Sequence, residues 1–360
     1  MIPSLILAQM CMNRLKLTDA KTLYDDMASA EEVLKHVKKH FSEDYAALER
    51  RAHEEVEWCR LHKVQIVCIG EDAYPDRLRH CADAPLVLFV RGKADLNAPH
   101  IINIVGTRKC SPYGKDCTER IVDELCQLCP DVMIVSGLAY GIDITAHRAA
   151  MKNNLRSVGV VAHGQDTIYP AMHRSDANKM VMGNGAVLTE YLTTTRPEAR
   201  NFLQRNRIIA GMSDATIIIE SARQGGGLVT ARLAQDYGRE VMAVPGSIYS
   251  ATSEGCNNLI RENKAALITG AKDIVNMLGW ENHAAMQEAR RAGIERTMFA
   301  ELTAEEQKIV DALKQHGDQH SNSLTTLTDL PINTITTAVF TLEMKGIIKA
   351  MPGSAYHLIG

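Results

Sequence analysis

The 360-residue sequence contains no apolar run long enough to cross a bilayer. The short apolar patch at its start, within MIPSLILAQMCMNRLKL, lacks a basic leader and a small-residue cleavage site. Membrane-spanning and secreted classes are set aside on those grounds, and a soluble, cytoplasmic protein is expected. A disulfide framework is missing as well: the nine cysteines are odd in number and scattered, as reduced thiols are. Cys126 and Cys129 make the one Cys-x-x-Cys, without a second pair or a His-x-x-His partner. Both are read as core-facing thiols, and no metal or cofactor is expected. Nor is there a large charge of one sign. At a net charge of −3 the molecule is no polycation, so any contact with nucleic acid must lie in a local groove.

What is present suits a globular protein of two or three domains. A hydrophobic content of 46% against 23% charged residues permits a large core. Residues 1–82 read as mostly helical, with Lys/Glu-rich stretches and a short strand at Val64 to Ile69. Residues 83–282 alternate short apolar runs with helical stretches. The runs are Leu86–Val90, Ile101–Val105, Val132–Val135, Ser157–Val161, Ala186–Thr189, Ala215–Glu220, Glu240–Val244 and Ala266–Ile268. Strands apolar on both faces and separated by helices predict an α/β fold: a Rossmann-like, mostly parallel, doubly wound sheet. Residues 283–300 are charged and Ala-rich, a linker. Within 301–360 a capping box at Thr303 to Glu306 opens a first helix. Helices at Leu324 to Leu330 and Ile335 to Lys345 follow. Two strands then flank Pro352-Gly353-Ser354, and together these elements predict a winged-helix domain.

A parallel sheet collects its ligands at the carboxyl ends of the strands. There the sequence places Gly106-Thr107-Arg108, Ser136-Gly137, Gly141-Ile142-Asp143, His163-Gly164, Glu190 and Ser221, and then Gly225-Gly226-Gly227 at a helix start. Glycines admit a close ligand, hydroxyls donate, and helix N-termini offer unpaired N–H groups, so one edge reads as a phosphate-binding rim. The Gly-x-Gly-x-x-Gly and Gly-x-x-x-x-Gly-Lys-Ser/Thr motifs are missing, which argues against dinucleotide oxidoreduction and NTP hydrolysis. Basic residues then choose the anion. Arg108 and Lys109 sit on the first rim loop, and Arg196, Arg200, Arg205 and Arg207 crowd a short window with Asn206 and Phe202. Cations that track phosphates beside a ring that stacks on a base suit a single strand.

The sequence resembles the DNA-processing protein A (DprA/Smf) family. The likeness rests on Ile104-Val105-Gly106-Thr107-Arg108, Val135-Ser136-Gly137-Leu138-Ala139-Tyr140-Gly141-Ile142-Asp143 with Ala146-His147, and Arg205-Asn206-Arg207-Ile208-Ile209-Ala210-Gly211. Gly225-Gly226-Gly227-Leu228-Val229-Thr230-Ala231, Ala243-Val244-Pro245-Gly246-Ser247 and Gly255-Cys256-Asn257-Asn258-Leu259-Ile260 continue it in the family's order, from about Asp72 to Trp280. The resemblance implies binding of single-stranded DNA, protection of incoming DNA during natural transformation or recombination, and loading of the RecA recombinase, with no enzymatic activity established for the group. It also implies a homodimer formed near Cys256, Asn257, Asn258, Leu259, Ile260 and Leu267. By motif position Gly106, Thr107 and Arg108 are expected at phosphate and Phe202 near a base. The chain departs from the family at Ala199, where some relatives carry a lysine; at Gly227, where a serine is common; and in the N-terminal region, which lacks the usual glycine hairpins.

Two other functions compete. A nucleotide phosphoribohydrolase of the lysine-decarboxylase-like group shares such a sheet, but its Pro-Gly-Gly-x-Gly-Thr and nearby Glu are replaced by Gln224-Gly225-Gly226-Gly227-Leu228-Val229-Thr230. Asp143, Glu190 and Glu220 stay open as acids, each with a simpler structural role. A duplex-reading regulator would use the third C-terminal helix, which offers Asn333, Thr334, Thr336 and Thr337 but no Lys or Arg before Lys345.

Overall fold

A computed structural model describes residues 45–280 and 302–358, except 318, 346 and 352–354, along with isolated positions 6, 25 and 35. Half of the N-terminal region, the expected linker and the Pro352-Gly353-Ser354 turn therefore lie outside the described residues. The chain divides into two units, Met1–Ala284 and Ala285–Gly360, each described by itself.

Helix α1 (Tyr45–Leu61) leads into strand β1 (Gln65–Cys68), the short helix α2 (Asp76–Arg79) and β2 (Val87–Gly92). The alternating part then runs β3 (Ile101–Val105), α3 (Pro112–Leu128), β4 (Met133–Ser136), α4 (Ile142–Lys152), β5 (Arg156–Val160), α5 (Arg174–Met182) and β6 (Ala186–Thr189). It continues with α6 (Ala199–Gly211), β7 (Ala215–Ile218), α7 (Gly226–Asp236), β8 (Glu240–Ala243), α8 (Glu254–Arg261), β9 (Ala266–Leu267) and α9 (Ala271–Met277). One nine-stranded sheet results, in the order β1-β2-β6-β5-β4-β3-β7-β8-β9. From β6 to β9 every neighbouring pair is parallel, and β2 joins β6 antiparallel. The predicted mostly parallel sheet is thus present, with strand ends displaced by a residue or two from the sequence reading.

The division at residue 82 needs correction. Strand β1 pairs antiparallel with β2, Gln65 opposite Val90 and Cys68 opposite Val87, so the main sheet already starts at residue 65. A strand's partner is set by hydrogen bonds across a long connection, and the local apolar pattern is silent about it.

Side chains alternate across the sheet as strand geometry demands. From β3, Ile102 and Ile104 enter a buried cluster with Ile121 and Leu125 of α3 and Ile142 and Ala146 of α4. Ile101 and Val105 face the other way, into a cluster with Ile208 and Ile209 of α6 and Ala231 and Ala234 of α7. Helices therefore cover both faces, which is why the strands read as continuous apolar runs. Cys129 is buried in the first of these clusters and Cys126 packs partly buried against it, both as free thiols.

The C-terminal unit holds α10 (Ala304–His316), β10 (Gln319–His320), α11 (Ser321–Thr328), α12 (Ile332–Met344), β11 (Ile348–Met351) and β12 (Ala355–Leu358). The Thr303–Glu306 capping box closes reciprocally, at 3.2 Å and 2.8 Å. A three-stranded antiparallel sheet, β10-β12-β11, joins the helices. The second and third helices each begin three residues before the starts expected from sequence, and the two-residue β10 had no sequence signal.

Candidate functional site

The chain winds outward from β3 in both directions. Strands β4, β5 and β6 follow on one side and β7, β8 and β9 on the other, so the topological switch lies between β3 and β7. Loops leaving those two strands part there and open a crevice at the carboxyl edge. A cavity of about 310 Å³ occupies it, lined among others by Gly106, Thr107, Arg108, Asp143, Phe202, Arg205, Asn206 and Gly225 to Gly227.

The loop after β3 is gripped on both sides. The Thr107 N–H donates to the carbonyl of Glu220 at 2.8 Å, and the Thr107 carbonyl accepts from Ile142 N at 3.3 Å. Glycine at 106 is obligatory by contact: a Cβ there would lie 2.6 Å from Ile142 Cγ1 and 2.8 Å from the Glu220 carbonyl oxygen. Arg108 emerges from this fixed loop into solvent, and its guanidinium carbon stands 5.1 Å from the centre of the Phe202 ring. Across the cavity, α7 begins at Gly226 with no side chain capping its first turn. Its unpaired N–H groups and positive dipole end favour an anion.

Helix α6 supplies the third wall. Phe202, Arg205, Asn206 and Ile209 recur at i, i+3, i+4 and i+7 and all line the cavity. Arg205 is only 3% exposed. Its Nη1 donates to the carbonyls of Gly137, at 2.9 Å, and of Val160. Burial lowers its pKa to about 10, while the neighbouring Asp143 carboxylate opposes that shift. Burial likewise raises the Asp143 pKa against the pull of Arg205, and its Oδ2 accepts the Gly137 N–H at 3.1 Å. Arg205 thus organises the rim from within, adding positive potential to the cavity while its guanidinium is held by carbonyl groups.

Arg207 is a correction to the sequence reading. It is 2% exposed and paired with the buried Glu190 carboxylate, away from the cavity. Two residues along an α-helix turn the side chain by about 200°, so Arg205 and Arg207 face opposite ways. Arg200 is exposed but stands two residues before Phe202, and it does not line the cavity. Lys109 is exposed beside Arg108, also outside the lining. Ser136 is fully buried and donates to the Ile104 carbonyl at 2.6 Å, stitching β4 to β3 instead of meeting a ligand. Gly137 is buried as well; a Cβ there would sit 2.6 Å from both Arg205 Nη2 and Asp143 Oδ2.

Among the residues expected at a dimer contact, Cys256 is fully buried in the core. The Asn257 side chain closes the loop after β8, accepting from Gly246 N at 3.1 Å and donating to its carbonyl at 2.9 Å. Asn258, Leu259 and Ile260 are half-buried, and Leu267 is 50% exposed. Sequence reasoning passed over two side chains at the rim, Leu203 and Tyr169, both exposed. Leu203 follows Phe202 directly along α6, whereas Tyr169 reaches the Phe202 ring only through the fold. The three carboxylates left open as acids are all engaged: Asp143 beside Arg205, Glu190 with Arg207, and Glu220 by Ser111 N, Ser111 Oγ and Thr252 Oγ1.

Comparison with known proteins identifies the family. Residues 65–279 match the family model described as DNA recombination-mediator protein A. The chain is 34% identical over 279 residues to the putative DNA processing protein DprA of Mycobacterium tuberculosis, covering 77% of this chain and 70% of that one. It is 33% identical to the Smf protein of Escherichia coli, over 84% of this chain and 79% of that one. Among solved structures, DprA of Streptococcus pneumoniae superposes with a TM-score of 0.58 at 32% identity, over 76% of this chain and 92% of that chain. DprA of Helicobacter pylori, described for its single-stranded DNA binding mode, gives a TM-score of 0.53 at 29% identity, over 59% and 95%. The chain belongs to the DNA recombination-mediator protein A family, the DprA/Smf group of DNA-processing proteins.

Proposed function

We propose that this protein binds single-stranded DNA, without catalysis, in the crevice between β3 and β7. The observation that carries the reading is the exposed Arg108 guanidinium over the half-buried Phe202 ring, opposite the uncapped start of α7. A backbone phosphate is received by Arg108, the Thr107 loop and the N–H groups of Gly226 and Gly227, while Phe202 stacks on a base. The single-stranded DNA binding mode described for the H. pylori relative supports the choice of ligand. Duplex DNA presents its bases only in grooves and offers no free π-face for a ring that lines a cavity.

In the cell this reading makes the protein a carrier of incoming single strands that protects them and passes them to the RecA recombinase, acting as a homodimer in the cytoplasm. Leu267 at the sheet edge, with exposed Ile248 and Tyr249 on the loop after β8, supplies apolar surface for the second copy. The C-terminal unit, read as a winged helix, is assigned to protein contact, because the described face of α12 carries Asn333, Thr336 and Thr337 and no cation before Lys345. The phosphoribohydrolase alternative is not favoured, since Asp143, Glu190 and Glu220 are each committed to holding the fold.

Fluorescence anisotropy with matched single- and double-stranded oligonucleotides at two salt concentrations tests the proposal. Preference for the single strand, weakened by Arg108→Ala, is the expected result. Equal affinity for duplex, or binding indifferent to that substitution, overturns it.

A further inference from the structure

Tyr169 has a place in the fold that the crevice alone does not explain. It lies between β5 and a 3-10 turn (Ala171–His173), 42% exposed, with its ring centre 5.8 Å from that of Phe202 and the planes inclined by 54°. Beneath it the backbone is anchored. The Tyr169 N–H donates to Nε2 of His163 at 3.1 Å, and Nδ1 of His163 donates to the carbonyl of Gly164 at 2.8 Å. One nitrogen gives and the other receives, so this buried imidazole is a neutral ring of one tautomer. An exposed aromatic side chain therefore rides on a backbone fixed from the core, beside the ring already assigned to a base.

We infer that Tyr169 is a second stacking platform, taking the base next to the one held by Phe202 and carrying the single strand out of the crevice across the ends of β5 and β6. The inference rests on the single-strand reading given above. A stacked strand rises about 3.4 Å per nucleotide. Two rings 5.8 Å apart and inclined by 54° instead suit neighbouring bases splayed from one another, each lying on its own ring. Sequence tolerance follows, because every base offers a π-face and neither ring offers a hydrogen-bonding code. Positive charge accompanies the path: Arg108 stands over Phe202, and exposed Arg174 follows the 3-10 turn.

The test measures affinities for oligothymidylates of increasing length with the full chain and its Phe202→Ala, Tyr169→Ala, Tyr169→Leu and Tyr169→Phe variants. Tyr169→Leu keeps an apolar neighbour against Phe202 but removes the π-face, which separates base stacking from mere support of the other ring. Melting temperatures accompany each variant, and the exposed side chain makes little change expected. The expected result is about a tenfold loss for Tyr169→Ala and Tyr169→Leu, with Tyr169→Phe at the wild-type level. Tyr169→Leu binding like wild type, while Phe202→Ala is weakened, overturns the second platform and leaves the first intact. Wild-type protein with no preference for single strands overturns both.

Discussion

The guanidinium carbon of Arg108 lies 5.1 Å from the centre of the Phe202 ring, and that of Arg205 lies 5.8 Å from the same ring. One arginine is exposed and the other is buried. Beside one ring thus stand a cation free to meet a phosphate and one already satisfied by carbonyl groups. Replacing Arg108 by alanine is expected to lower the slope of log affinity against log salt by about 0.7, the value for one phosphate contact on a single strand. Phe202→Ala is expected to weaken binding by about 1–3 kcal/mol with the slope unchanged, since stacking releases no counterion. Titrations at several salt concentrations distinguish the two.

Arg207 should behave in the opposite way. Its substitution by alanine strands the Glu190 carboxylate in the core, where burial already raises that group's pKa. A loss of about 3–5 kcal/mol in unfolding free energy is expected. Whatever folded protein remains should bind oligonucleotides as wild type does. Denaturant unfolding alongside active-fraction-corrected binding reads both quantities.

The glycines of the rim divide by what a side chain would meet. At Gly137 a Cβ collides with Arg205 and Asp143 at 2.6 Å, so Gly137→Ala is expected to cost about 1–3 kcal/mol of stability. At Gly226 nothing lies within 4 Å of such a Cβ. Gly226→Ala should therefore change stability by less than about 0.5 kcal/mol. Its affinity for single strands should fall nonetheless, because the methyl group occupies the space through which a phosphate approaches the helix start. Thermal melts paired with anisotropy check the contrast.

Two buried histidines set an acid limit. Burial, first among the causes, lowers the pKa of His147 to about 3 and lowers that of His163. The ordinary value in an unfolded chain is about 6.5. The folded protein keeps both rings neutral, so below about pH 6.5 the unfolded state binds more protons than the folded one. The stability they contribute is complete above that pH and declines as the pH falls toward the folded values, by up to about 1.4 kcal/mol per unit for each ring. Urea unfolding at pH 7.5 and pH 5 should show the decline, and His147→Gln should flatten it. Because the folded protein keeps His163 neutral and its hold on the Tyr169 backbone intact, the single-strand affinity of the folded fraction is expected to stay constant while stability declines.

Much of this molecule can be read from residues in order. Apolar runs separated by helical stretches dictate a parallel sheet covered on both faces, since strands such as Ile101–Val105 have no polar side to leave in water. Once the sheet is parallel, its carboxyl edge is where Gly106, Thr107, Arg108 and Gly225 to Gly227 must gather, and they do. Order along the chain also puts Arg108 and Phe202 on that edge, since the loop after β3 and the first turn of α6 open onto it, but their approach to 5.1 Å was decided by the fold.

Burial and direction belonged to the tertiary structure. Arg205, Arg207 and Arg200 are alike in a sequence window, but helical rotation aims one at the cavity, one at Glu190 and one at solvent. Ser136 and Cys256 carry chemistry suited to a surface and were consumed by neighbouring strands. Tyr169 stands 33 positions before Phe202, and only the folding of β5 and α6 onto one edge brings their rings together. Order along the chain determined which elements form and at which edge the cavity opens. Which side chains reach that ligand depends on packing between distant segments, whose contacts no local pattern encodes.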